Sequence, residues 1–182
     1  MLFYGLHSGF ASQKTKVWIQ EKIPVFHSNY RLVYNLFHFF ALVGIWSFGV
    51  FQEPTFLFQR NLYLLIPGSL LLIWGAFVGF KAFKIFDGTE FLIGKPTQAP
   101  PMLIEKGWYA KVRHPLYFAL MVILMGAFLI WPSLKLALFI AVTALYLPFG
   151  MHWEEQKLSK TFGTDYQTYK RRVPQIIPRL WF

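Results

Sequence analysis

The chain has 182 residues, of which 55% are hydrophobic and 20% aromatic against only 14% charged, with a formal net charge of +10. It is too apolar for a soluble domain of this size, in which roughly a quarter of residues carry charge, and a disordered chain is excluded. The absence of cysteine excludes a disulfide framework, a thiolate metal site, an iron–sulfur cluster and covalent cysteine catalysis.

In chain order, Met1 to Ser12 is apolar but reaches only about 18 Å as a helix, short of a hydrocarbon core of about 30 Å. It lacks a basic segment before the apolar run, and positive charge (Lys14, Lys16, Lys22) follows it, so a short or half-inserted helix, or the remnant of a longer one, is expected rather than a cleavable signal. Tyr30 to Phe51 and Leu62 to Phe80 are long enough to cross a bilayer, and Pro67 is tolerable where neighbouring helices satisfy the freed carbonyl. A polar connection from Lys81 to Arg113 is rich in Gly and Pro. Leu116 to Trp131 and Leu134 to Trp153 form a helical hairpin around Trp131, Pro132 and Ser133. From Glu154 a short amphipathic helix is predicted, broken near Gly163, followed by a basic and aromatic run through Pro174 and Pro178.

The expected fold is therefore all-α and integral to a membrane, one domain over residues 1–182, with four spanning helices, a short N-terminal hydrophobic helix and a C-terminal helix and tail. Sixteen of the eighteen Lys and Arg residues fall in segments on one side, leaving Arg60 and Lys135 opposite, which places the C-terminus in the cytoplasm. Anionic lipid on that leaflet is the nearest cause of the net charge, and nucleic-acid binding is discounted.

At the standard rise the hairpin arms run about 24 and 30 Å, so their ends return to similar depth. Arg113, His114 and Tyr117 at one foot then lie near His152, Glu154 and Glu155 at the other, a mixed-charge cluster at the cytoplasmic boundary. The segment from Gly107 to Tyr117, including Tyr109, sets Pro115 in the first turn of its helix, where a missing N–H costs least. An interfacial anchor of Arg, Tyr and Trp explains the same residues equally well. Adjacent carboxylates on a helix point about 100° apart, so one of Glu154 and Glu155 faces a pocket while the other takes a basic partner or solvent, unless both lie on a solvated face. Arg31, Asn35 and His38 form a polar stripe about 10 Å deep, suited either to interhelical hydrogen bonding or to lining a cavity. His7 reads as a packed histidine before a ligand.

Arg113-His114-Pro115-Leu116-Tyr117, then Glu154-Glu155 and Leu158, then Phe162-Gly163, Tyr166, Tyr169 and Val173-Pro174, resemble the isoprenylcysteine carboxyl methyltransferase and phospholipid methyltransferase superfamily of membrane enzymes. Gly5-Leu6-His7-Ser8, Tyr30-Arg31, Tyr34-Asn35, Phe86-Asp87 and Glu90-Phe91 are similar to its bacterial branch of methanethiol S-methyltransferases and NnrU-like proteins. Ala119 stands where the superfamily commonly has Gly after His-Pro-x-Tyr.

The resemblance implies that the hairpin foot and tail wrap S-adenosylmethionine while a lipophilic acceptor (a thiol, an isoprenylcysteine carboxylate or a lipid) enters between helices. It implies cofactor contacts from His114, Tyr117, Tyr109, Tyr166 and Glu155, with Glu154 in reserve. Arg113 and Glu155 are the expected catalytic residues, and Arg31, Asn35 and His38 the expected acceptor side. No protein-bound metal is expected. Two other readings stand: a haem protein of the NnrU-like branch, with axial ligands drawn from His7, His38, His114 and His152, and a non-catalytic scaffold whose basic tail grips anionic lipid.

Overall fold

A computed structural model describes residues 13–22, 33, 36, 37, 40, 44, 54–85 and 102–179. The chain divides into two compact units, Met1–Glu53 with Phe86–Pro100, and Pro54–Ile85 with Pro101–Phe182. In the first unit, α1 spans Gln13–Lys22, a helix where the sequence suggested only a basic flank. Its register exposes Val17 and Trp18 and buries Ile19. Val33, Leu36, Phe37, Phe40 and Gly44 are helical, as expected for part of the first predicted span. Met1 to Ser12 with His7, the remaining positions of that span with Arg31, Asn35 and His38, and residues 86–101 of the polar connection lie outside the described residues.

The second unit contains α2 (Leu62–Phe83), a 3-10 turn (Gly107–Ala110), α3 (Pro115–Ile130) and α4 (Leu134–Arg172). Asn61 caps α2, its side chain accepting from the Leu64 N–H at 3.0 Å. Helices α2 and α3 approach closely because their contact is built from small residues. A Cβ at Gly126 would lie 2.7 Å from the Gly68 carbonyl oxygen, and one at Gly75 would lie 3.1 Å from that of Ala119. Such backbone-to-backbone packing is the expected way for helices to associate in lipid, where apolar burial gives little drive.

The Trp-Pro-Ser turn falls where the sequence places it, and Ser133 caps α4, its hydroxyl accepting from the Leu136 N–H at 3.3 Å. The segment before α2 lies over this turn, with the Leu57 N–H donating to the Pro132 carbonyl at 2.9 Å and the Leu134 N–H to that of Thr55 at 2.8 Å. Arg60 stacks 4.5 Å above the Trp131 ring.

Two of these helices, α2 and α4, are long and apolar enough to cross a membrane, with mean hydropathy 1.9 and 1.8 in their apolar windows. Only 17% and 22% of those windows are buried in the protein, unlike the core helix of a soluble domain, so the apolar surface needs lipid. Helix α3 is apolar but has 16 residues, about 24 Å at the helical rise, which falls below a full crossing. The expectation of four spans is thus met in part.

One boundary differs from expectation. Helix α4 continues past Trp153, since residues 154–162 contain no breaker to stop it. The bend comes at Gly163, where the sequence places the break; its φ of 54° and ψ of −122° lie outside the helical region and suit a residue without a Cβ. Residues 164–172 then run as a second helical piece, and its Tyr166 and Tyr169, with the capping residue Val173, form a buried cluster with Leu103, Leu158 and Phe162.

Candidate functional site

The start of α3 and the end of α4 are tied by backbone hydrogen bonds. The Arg113 N–H donates to the Pro174 carbonyl at 2.9 Å and the His114 N–H to that of Gln175 at 3.0 Å. His114 is the N-cap residue of α3, with no side-chain capping bond and Pro115 following. That frees its imidazole to face α4, where Glu155 lies buried.

Glu155 is the centre of the cluster. Its Oε1 accepts from Arg113 Nε at 2.9 Å and lies 2.8 Å from Arg113 Nη2, 3.2 Å from His114 Nε2 and 3.3 Å from Gln175 Nε2. Its Oε2 lies 2.7 Å from Lys170 Nζ. Burial alone would raise the pKa of this carboxyl, but hydrogen bonds from Lys170 and Arg113, the Arg113 charge and the His114 contact outweigh it and hold the group below the ordinary carboxylate range. Arg113 is similarly committed: its Nη1 donates to the carbonyls of Lys170 at 2.9 Å and Val173 at 2.7 Å. The guanidinium of Arg113, expected to be catalytic, therefore binds Glu155 and the terminal carbonyls of α4.

Glu154 points elsewhere. Its side chain is 48% exposed, with Oε2 3.4 Å from His114 Nδ1. The imidazole, 2% exposed, thus lies between two carboxylates. The Tyr117 ring lies 5.6 Å from that of His114, and its hydroxyl is 3.8 Å from where a Cβ on Gly150 would sit. Tyr109 is buried and its carbonyl accepts from the Tyr169 hydroxyl at 2.7 Å. Burial, then the neighbouring carboxylates, raise the Tyr109 and Tyr166 pKa values well above the usual phenol range. Tyr166 is fully buried, and its hydroxyl has no hydrogen-bond partner among the described residues.

The structure therefore brings Arg113, His114, Tyr117, Glu154 and Glu155 together, and places Tyr109 and Tyr166 in the packing that docks the tail. His152 lies elsewhere on the α4 surface, its Nε2 2.9 Å from Gln156 Nε2. Both histidines of the haem reading that fall among the described residues thus contact side chains of their own chain. Sequence reasoning missed Lys170, Gln175 and the Arg172–Glu105 ion pair. The available signal was the three cations in the last turn of α4, which a helix C-terminus favours; nothing local indicated that the chain after Pro174 turns back to Arg113.

The family model for phospholipid methyltransferase matches residues 62–165, which hold Arg113, His114, Tyr117, Glu154 and Glu155. Methanethiol S-methyltransferase 1 of Bradyrhizobium diazoefficiens is 30% identical across 97% of this chain and 64% of its own length. The chain thus spans just under two thirds of that relative. Methanethiol S-methyltransferases of Pseudomonas sp. and Crocosphaera subtropica are 32% and 28% identical, covering 98% and 94% of the chain and 70% and 69% of those proteins. No solved structure matches. With more than half of the chain matched, and the hairpin-foot cluster inside the match, the chain belongs to the phospholipid methyltransferase family.

Proposed function

We propose that this protein is an S-adenosylmethionine-dependent membrane methyltransferase acting on a small lipophilic acceptor, in the first instance a thiol. The observation that carries the reading is the half-exposed Glu154 carboxylate beside His114, inside the matched family region. The preference for a thiol rests on the names of three relatives.

The residues fit the cofactor by their chemistry. A carboxylate with half its side chain exposed suits a cofactor ammonium or ribose diol, and a buried phenol hydroxyl without a partner among the described residues is a polar group for a ligand to satisfy. Bound S-adenosylmethionine supplies a methyl group on a sulfonium, so the protein needs no covalent intermediate. Glu154, His114, Tyr117 and Tyr166 are assigned to holding it, with Tyr109 supporting the tail that carries Tyr166. Arg113 and Glu155 are assigned a positioning role, since their polar groups are taken up by each other and by the tail. Arg31, Asn35 and His38 remain assigned to the acceptor side from sequence alone.

A thiol acceptor requires little of the protein beyond orientation. With an unperturbed pKa of about 8.5, a few per cent is already thiolate near neutrality, and its proton leaves to solvent. The charge distribution further supports a multi-pass arrangement with this cluster and the C-terminus on the cytoplasmic side. The test is incubation of the purified protein with methyl-labelled S-adenosylmethionine and a panel of thiols, isoprenylcysteine analogues and lipid amines. Label in a volatile or lipid-extractable thioether is the expected result; no label in any product refutes the reading.

A further inference from the structure

We propose that Lys170 is a positioning residue for the methyl-transfer site, acting through Glu155 on the His114 imidazole. This rests on the methyltransferase reading for its consequence, though not for its geometry. Glu155 divides its oxygens: Oε1 receives Arg113, His114 and Gln175, while Oε2 receives Lys170 at 2.7 Å. The carboxylate is 6% exposed, so water is a poor substitute for a missing donor. Without the ammonium on Oε2, Arg113 and His114 become the nearest compensation for that oxygen. The imidazole then turns away from Glu154, whose Oε2 lies 3.4 Å from its Nδ1.

Lys170 is bound at two points. Its ammonium meets Glu155, and its own carbonyl accepts from Arg113 Nη1 at 2.9 Å, so side chain and backbone grip the two members of one ion pair. A generic helix-terminus cation would satisfy the macrodipole from any outward position. Of the last-turn cations, Arg172 pairs with Glu105 and Lys170 with Glu155, so the two have separate partners. The bend at Gly163 belongs to the same device: its positive φ turns residues 164–172, which carry Lys170 to a carboxylate on the same helix before the bend.

The experiment uses the full chain in detergent, comparing the wild type with Lys170→Met, Lys170→Arg and, as a charge control, Lys160→Met. Hydrogen exchange is followed in the peptide holding the Arg113 and His114 amides, alongside the S-adenosylmethionine Kd and the acceptor KM. Lys170→Met is expected to speed exchange about fivefold and weaken S-adenosylmethionine by a similar factor while leaving the acceptor KM unchanged. Lys170→Arg should restore both values, and Lys160→Met should leave them at wild type. Unchanged exchange in Lys170→Met overturns the inference, as does an equal effect from Lys160→Met. A wild-type protein that binds no S-adenosylmethionine refutes the proposed function instead, and exchange still decides the role of Lys170.

Discussion

Replacing each of the two adjacent glutamates by glutamine should produce opposite phenotypes. Glu155→Gln keeps the shape but replaces one acceptor oxygen by an amide N–H2 facing Lys170 or Arg113. Breaking a buried ion pair costs roughly 3–5 kcal/mol. Two features of the site reduce that figure: Arg113 retains the Lys170 and Val173 carbonyls, and Lys170 is 44% exposed and can return to water. About 2–3 kcal/mol of local tail stability is therefore expected to be lost, read as exchange of the Arg113 and His114 amides roughly 30- to 150-fold faster. Glu154→Gln removes a half-exposed charge and should alter the same exchange by about twofold at most, while weakening S-adenosylmethionine. The pH dependence has a definite sign. The Glu155 carboxyl is lowered in the folded protein, so its stabilisation is complete above the ordinary carboxylate pKa and is lost as pH falls through the folded value. Tail amides should thus exchange anomalously fast, relative to intrinsic rates, only in acid, and Glu155→Gln should abolish that acid transition. Equal exchange in the two variants at neutral pH would refute this division of roles.

Tyr166→Phe removes a buried hydroxyl that has no partner among the described residues; thermal unfolding without cofactor should show a stability equal to or up to about 1 kcal/mol above wild type, while calorimetry should show weaker S-adenosylmethionine binding. Gly126→Ala drives a Cβ against backbone atoms at 2.7 and 2.9 Å, a strain of about 1–3 kcal/mol that outweighs the helix-propensity gain of about 1 kcal/mol. Gly79→Ala, whose Cβ would meet Ala119 at 3.5 Å, should be neutral or stabilising, and denaturation in detergent distinguishes the two. Glu154→Gln should also weaken S-adenosylmethionine and its uncharged-sulfur product by about the same factor, since both carry the ammonium and the ribose diol assigned to that carboxylate; a loss confined to S-adenosylmethionine would refute that assignment.

Helices α2, α3 and α4 and the hairpin turn were readable because their signals are local: apolar runs, a Pro at the start of α3, and a Trp-Pro-Ser turn between two apolar runs. The meeting of Arg113 and His114 with Glu154 and Glu155 also followed, since two antiparallel helices of known rise must return to one level. The division of labour between the two glutamates did not follow, because it depends on the path of the tail. Lys170, Gln175 and the Pro174 carbonyl come from beyond Gly163, where the break was legible but the direction of the chain after it was not. A helix from Glu154 was also expected, but its continuity with the apolar helix before it was hidden for another reason. A change from apolar to charged composition marks where lipid ends, whereas helix termination requires a cap or a breaker, and residues 154–162 supply neither.

The residues that carry the family likeness do two physical jobs. Arg113 and Glu155 bind each other and the tail, while Tyr166, Tyr169 and Val173 pack the tail against Leu103. These contacts close the chain on itself and leave the Glu154 carboxylate half exposed and the Tyr166 hydroxyl without a hydrogen-bond partner among the described residues. The electrostatics follow from that closure. Arg113 and Lys170 bring two positive charges to the buried Glu155, an excess that would oppose a cationic ligand if nothing balanced it. Glu154, adjacent in sequence but turned about 100° around the helix, supplies the compensating charge on the exposed side. A doubled glutamate at the hairpin foot is thus the short way to hold a basic tail in place and still present a negative charge on the exposed side.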